Sequence, residues 1–150
     1  MTTTISTPQD LLGLVGQPLG TTEWMTIDQE RVNLFADATG DHQWIHVDPE
    51  KAAAGPYGRT IAHGYLTLSL APLFIAEALV IEKVQAGVNY GLNKVRFPAP
   101  VPVGARVRAA VELAGAQEKP AGIEAVIRLT YEVDGADRPA CIAETVVLYR

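Results

Sequence analysis

All three histidines of the chain, His42, His46 and His63, fall between positions 40 and 64, together with Asp41 and Asp48. A carboxylate and an imidazole form a proton-transfer pair, and Asp41 stands five residues before His46, near enough in an ordered segment for both to converge on one water molecule. Asp41 directly follows Gly40, which reads as a helix stop, so its carboxylate leaves the helix end at a fixed angle. The plainer alternative is that Asp41 satisfies loop N–H groups while His46 packs as a neutral side chain. His63-Gly64 sits where this loop becomes an apolar helix. Glycine there lets a ligand approach the unpaired N–H groups and positive dipole end of the helix, a place for a developing oxyanion; the plainer role is a turn.

A metal site is the rival reading of the same cluster, because His42 and His46 are four apart and Asp41 and Asp48 add oxygen donors. A metalloenzyme pattern such as HExxH is missing, and no metal is expected. Asp48 before Pro49 reads instead as a helix N-cap. Cys141, in an alternating strand, reads as a small buried hydrophobe rather than a nucleophile. Trp44 either lines an acyl pocket or pins the loop.

Elements must position these residues. Thr21 to Ile27 has strand composition, and Thr26 with Gln29 makes a capping-box signature. The helix that follows buries Val32, Phe35 and Ala36, turns Gln29, Arg31, Asn33 and Asp37 to solvent, and ends at Thr39. Residues 40–64 form a long connection with two Pro and four Gly, holding one small helix from Pro49 to Ala54. Tyr65 to Val84 predicts a second main helix, apolar on nearly every side as far as Ile81, which something must wrap. The wrapping comes from alternating strands at 103–113 and 123–133, an Asp134-Gly135 hairpin signal, and a strand at Cys141 to Tyr149. Gly87 to Phe97 is a further strand with a bulge near Asn93. The order predicts one α+β domain over residues 1–150: after a loose first twenty residues, a five-stranded antiparallel sheet without crossovers, curved around one apolar helix. Its free edges make a homodimer with a continuous sheet an economical arrangement.

The 150 residues are 48% hydrophobic and carry a net charge of −5, with no Lys/Arg run, which argues against nucleic-acid or anionic-membrane partners. Pro72 and Glu77 interrupt the longest apolar stretch before it reaches the ~20 residues of a bilayer span. The first thirteen residues lack a secretory signal, and the single cysteine suits a reducing compartment, so the cytoplasm is the expected location.

The segment Phe35-Ala-Asp-Ala-Thr-Gly-Asp41-His-Gln-Trp-Ile-His46, continuing through Ala52, resembles the hydratase motif of MaoC-like (R)-specific enoyl-CoA hydratases, which have the hotdog fold. An aromatic, a small residue, Gly-Asp, His five after the Asp and Ala six after the His all stand here. Gln43-Trp44 replaces the family's Asn-Pro and resembles its nodulation-protein-N-like branch. Ile61-Ala-His63-Gly64 and Arg96-Phe97-Pro98-Ala99-Pro100-Val101 also look like family segments, and the likeness runs from about residue 20 to the C-terminus.

The resemblance implies that Asp41 and His46 activate water for addition to C3 of a trans-2-enoyl thioester. One of the pair, Asp41 by preference, returns a proton to C2, while the Gly64 N–H polarises the thioester carbonyl. His63, Trp44, Arg96, Lys94 and Arg59 are the expected substrate contacts, with Lys51 and Arg106 as further candidates for phosphate. Coenzyme A or an acyl carrier protein would carry the acyl group as part of the substrate, and no separate cofactor is expected. Two other functions remain open at this level: a hotdog acyl-CoA thioesterase, and a non-catalytic acyl-binding or signalling module.

Overall fold

A computed structural model describes all 150 residues. The chain runs β1 (Thr3–Ile5), a 3₁₀ helix (Pro8–Gly13), β2 (Pro18–Thr21), β3 (Met25–Thr26), α1 (Gln29–Thr39), α2 (Trp44–Val47), α3 (Pro49–Ala53), α4 (Gly64–Ser69), α5 (Ala71–Ala78), β4 (Leu79–Ile81), β5 (Gly87–Arg96), β6 (Arg106–Lys119), β7 (Gly122–Val133) and β8 (Cys141–Tyr149). The first twenty residues, expected to be loose, are ordered: β1 pairs in parallel with β4, and Leu11 and Leu19 are fully buried. The strand expected at 21–27 is two short pieces, β2 and β3, both antiparallel to β6.

The main sheet has the order β2-β6-β7-β8-β5, five strands in line, and β3 joins β6 beside β2 to make six. The expected chain of neighbours without crossovers is therefore wrong for β5, which pairs with β8 rather than with β6. Its cause lies in Pro98, Pro100 and Pro102: prolines without N–H groups cannot close a hairpin ladder, so this stretch crosses over in extended form. There it meets residues 60–62, with the Ala62 N–H donating to the Val101 carbonyl at 2.8 Å and the Val103 N–H to the Thr60 carbonyl at 2.9 Å. The bulge expected near Asn93 is present as a register shift between Leu92 and Lys94, and a second lies between Asn89 and Gly91.

The long helix expected from Tyr65 is cut in two. Pro72 cannot donate to the Leu68 carbonyl, and the chain turns at Leu70 between α4 and α5. Tyr131, fully buried, fills the gap: its hydroxyl donates to the Leu68 carbonyl at 3.1 Å. Past Ala78 the branched Val80 and Ile81 leave the helix as β4.

On β7 every second residue is buried from Ile123 to Val133, so one face of the sheet closes on α4 and α5. Leu66, Leu70, Phe74 and Ala78 meet Val107, Val111, Leu129 and Ala143 in one core of 29 buried residues. A sheet curved round a helix is the hotdog arrangement. No helix is long and apolar enough to cross a membrane.

Candidate active site

Three segments with different origins meet at the histidines. The first is the end of α1. Gly40 takes the left-handed conformation, φ 86°, and its N–H donates to the Ala36 carbonyl at 2.8 Å, so Asp41 leaves the helix where the sequence placed it. The start of this helix differs from expectation: Asp28, not Thr26, is the cap, accepting from the Arg31 N–H at 2.8 Å. Gln29 is thereby freed from a capping role.

The second segment is α2, a single turn that presents His46. Its imidazole is 7% exposed, and Nδ1–H donates to the Ile61 carbonyl at 2.7 Å. A carbonyl only accepts, so the proton sits on Nδ1 and Nε2 keeps its lone pair. Burial pushes the His46 pKa below its ordinary value of 6.5, helped by neighbouring His63 and opposed by the Ile61 bond and the Asp41 charge. His46 is therefore a neutral base at pH 7.

The third segment is 60–64, leading into α4. His63 is 3% exposed, and its Nε2–H donates to the Asp41 backbone carbonyl at 2.9 Å. Its ring stacks on His46 with centroids 3.9 Å apart, and Phe35 packs against it at 4.8 Å. Gly64 opens α4, and its N–H donates to no backbone acceptor. Phe97 lies over it, so that a Cβ added at Gly64 would stand 3.3 Å from the ring.

His46 and Gly64 share a cleft of about 320 Å3 whose walls include Tyr57, Ile61, Thr67 and Phe97. The Asp41 carboxylate, exposed, lies near both histidines: side-chain donor atoms of Asp41, His46 and His63 are all within 4.8 Å of one another. This spread exceeds the ~3.4 Å ligand separation that ~2.1 Å bonds to a tetrahedral zinc require. The geometry suits a shared proton or water better than a metal. A hollow of about 760 Å3 at Pro8, Lys83, Lys119 and Arg150 is larger but contains none of these groups.

The other expected contacts lie outside the cleft. Asp41 and His63 also lie off its lining, Asp41 exposed and within 4.8 Å of the histidine donor atoms, His63 buried. Trp44 pins the loop, since its ring fills the space beside Gly55 and carries the Lys51 ammonium 5.0 Å above it. Arg59 reaches the Val103 carbonyl at 3.4 Å, and Arg96 bonds the Val95 carbonyl at 2.8 Å. Lys94 is exposed on β5, and Arg106 is held by Asp134 and the Trp24 ring. His42 pairs at the surface with Asp37, apart from His46. Cys141 is a buried core residue, its thiol pushed up to about 12 by burial, which removes it as a nucleophile at pH 7.

Gln29 is the contributor that sequence reasoning assigned to solvent. Its Nε2 donates to the His46 carbonyl at 2.7 Å and to Asn33 Oδ1 at 3.0 Å, while its Oε1 accepts from Thr60 Oγ1 at 2.7 Å. One amide thus joins α1, α2 and the segment before Gly64. Its spacing to Asn33 is the only hint in the sequence, and that spacing is common on solvent faces.

Residues 10–134 match the family described as MaoC like domain. A curated relative, 3-hydroxyacyl-thioester dehydratase Z of Mycobacterium tuberculosis, is 54% identical over 147 residues, covering 97% of each chain. Nodulation protein N of Rhizobium meliloti is 44% identical over 142 residues, 93% of this chain and 88% of that one. Among solved structures, the (R)-hydratase from A. caviae involved in PHA biosynthesis superposes with a TM-score of 0.73 at 26% identity, over 89% of this chain and 95% of the other. A family match over residues 10–134, with full-length relatives of this similarity, means that the chain belongs to the MaoC-like dehydratase family.

Proposed function

We propose that the chain hydrates trans-2-enoyl-CoA to (R)-3-hydroxyacyl-CoA, or runs the reverse dehydration, as a hydro-lyase. The single observation that carries this reading is the convergence of a neutral His46, its Nε2 lone pair set by the Ile61 bond, with the Asp41 carboxylate beside an N–H at Gly64 that no backbone acceptor uses. Membership of a dehydratase family and the name of the relative that is 54% identical point to the same reaction class.

In the hydration direction, water held by Asp41 and His46 adds its oxygen to C3. The alkene electrons move through C2 onto the thioester oxygen, where the Gly64 N–H stabilises the enolate. The proton of the attacking water passes to the pair, a proton from the pair goes to C2, and the site returns to its starting charge.

We place the acyl chain along the helices. Beyond Thr67 of the cleft, a hollow of about 360 Å3 lies between Leu68, Ala71 and Pro72 and the strand residues Asn89, Tyr90 and Leu92. It shares Pro72 and Asn89 with a third hollow, about 240 Å3, against Ile75, Leu79 and Val147. The outer wall is β5, the sheet edge, with Val88, Tyr90 and Leu92 48%, 69% and 50% exposed. Pairing of two β5 edges in a homodimer covers these side chains and continues the sheet, and sedimentation at micromolar concentration checks it against a monomer.

Asp41→Asn and His46→Ala test the chemistry. Each retains the far-ultraviolet spectrum, with His46→Ala losing about 1–3 kcal/mol of stability through its bond to the Ile61 carbonyl, and each lowers turnover of crotonyl-CoA by about 10²-fold or more, the scale of a lost general acid or base. Turnover unchanged in both variants contradicts the assignment.

A further inference from the structure

We propose that His63 is a positioning residue, which holds the Asp41–His46 pair in register from behind and ties it to the Gly64 N–H without itself touching substrate. This rests on the hydratase reading above and adds to it a role for a residue that sequence reasoning placed among the substrate contacts. Neither His63 nor Asp41 is on the lining of the cleft, but the exposed Asp41 is open to a ligand while His63, at 3% exposure, is closed off from one. Its contacts instead reach each working part of the site. Nε2–H donates to the Asp41 carbonyl at 2.9 Å, a bond across 22 residues that holds the backbone beneath the carboxylate. One side of the ring stacks on His46 at 3.9 Å, and Phe35 at 4.8 Å completes the packing around it. Its own peptide bond supplies the Gly64 N–H, and its carbonyl accepts from the Thr67 N–H at 3.2 Å in the first turn of α4. A shift of His63 therefore moves acid, base and oxyanion donor together.

The chemistry asks for histidine. Phenylalanine stacks but leaves the Asp41 carbonyl without its donor, and glutamine donates but offers no aromatic face. Because Nε2 carries the proton, Nδ1 holds a lone pair, and this atom is buried with no hydrogen-bond partner. Buried polar atoms in that condition are uncommon and costly. A side chain kept only for packing has no need of such an atom, whereas a ring that must both stack and donate through Nε2 carries Nδ1 as a consequence.

His63→Gln and His63→Phe each remove one half of the role. With crotonyl-CoA as substrate, kcat falls about tenfold or more in both variants, while KM and the dissociation constant of the unreactive analogue butyryl-CoA stay within about threefold, as misplacement of catalytic groups without loss of binding predicts. Variants whose kcat matches the wild type, or whose KM and butyryl-CoA affinity worsen while kcat holds, overturn the inference. A second measurement uses the unaltered protein, should either variant not fold. Long-range ¹H–¹⁵N spectra of the imidazoles show His63 protonated on Nε2 and His46 on Nδ1; a His63 protonated on Nδ1 alone has no bond to Asp41 and overturns the proposal. A wild-type chain that hydrates no enoyl-CoA overturns the reaction reading and this role with it, whereas wild-type turnover left intact by both variants overturns the positioning role alone.

Discussion

Gly64→Pro isolates the oxyanion donor. Gly64 is the first residue of α4, a position where proline is favoured because the N–H has no helical partner. Its φ is not positive, and His63 before it is already extended at φ −60° and ψ 138°, the region that a residue preceding proline adopts. The substitution therefore deletes one N–H that bonds nothing in the backbone and asks little of the fold. It also adds a Cβ at 3.3 Å from the Phe97 ring, a contact that a ring 42% exposed relieves by moving a few tenths of an ångström. It further puts a Cδ where the N–H stood, so the butyryl-CoA dissociation constant is measured beside kcat to separate a blocked site from a lost donor. Gly64→Ala adds the same Cβ and keeps the N–H, so it is the reference. Loss of one oxyanion donor lowers the rate about 10²–10³-fold, equivalent to ~3 kcal/mol of transition-state stabilisation. With crotonyl-CoA followed by enoyl absorbance, kcat of Gly64→Pro should lie lower than that of Gly64→Ala by that factor, with thermal midpoints of the two close together. Equal kcat values in the two variants refute the role given to the N–H; a large loss in Gly64→Ala as well would place the effect in the Phe97 contact.

Gln29→Glu keeps the Thr60 bond but turns both amide donations into oxygen–oxygen contacts with His46 and Asn33. It should cost about 1–3 kcal/mol in urea unfolding and lower kcat, and stability and kcat equal to wild type contradict the brace. Tyr131→Phe leaves the Leu68 carbonyl without its donor; about 1–3 kcal/mol of stability is lost, at about 2–4 °C of thermal midpoint for each kcal/mol in a chain of this size, and an unmoved midpoint counts against it. Because His46 titrates below 6.5 in the folded chain, the acid limb of kcat/KM, which protonates the base, lies below pH 6.5. The same shift makes the unfolded chain take up its proton first, so the His46 contribution destabilises the fold progressively as pH falls from 6.5 towards the folded value. An acid limb above 6.5 contradicts the burial argument.

Features set by local spacing were readable before any coordinates. Gly40 ends α1, Asp48 caps α3 by accepting from Lys51, and the alternation of β7 is complete from Ile123 to Val133. The Asp41–His46 pair belongs with these, since five residues fix the reach between the end of one helix and the turn that follows. What escaped depends on partners far along the chain. Pro72 in an apolar run warned of a break, but α5 ends at Ala78 because β1, more than 70 residues earlier, is there to pair with β4. The neighbour of β5 is set by an alternate-proline crossover that pattern reading cannot route. Gln29 looked like a solvent-facing helix residue and is a brace, because Thr60 and His46 arrive beside it only in the folded chain. His63 was found by its type, and next to Gly64 it suggested a substrate contact; that its ring stacks inward on His46 was not readable from its neighbours. The basic residues Arg59, Lys94 and Arg96 were chosen by charge alone, and charge does not say which surface borders a cleft.

The central claim is the reaction, and one assay separates it from the alternatives. The purified chain is incubated with trans-2-enoyl-CoA substrates of increasing length, with enoyl absorbance and free thiol followed together. Hydration predicts loss of the enoyl band with no thiol released, and an (R)-3-hydroxyacyl-CoA product. Thiol release without hydration would make the chain a thioesterase, and no change across the whole series would leave Asp41, His46 and Gly64 as the architecture of a binding module rather than an enzyme.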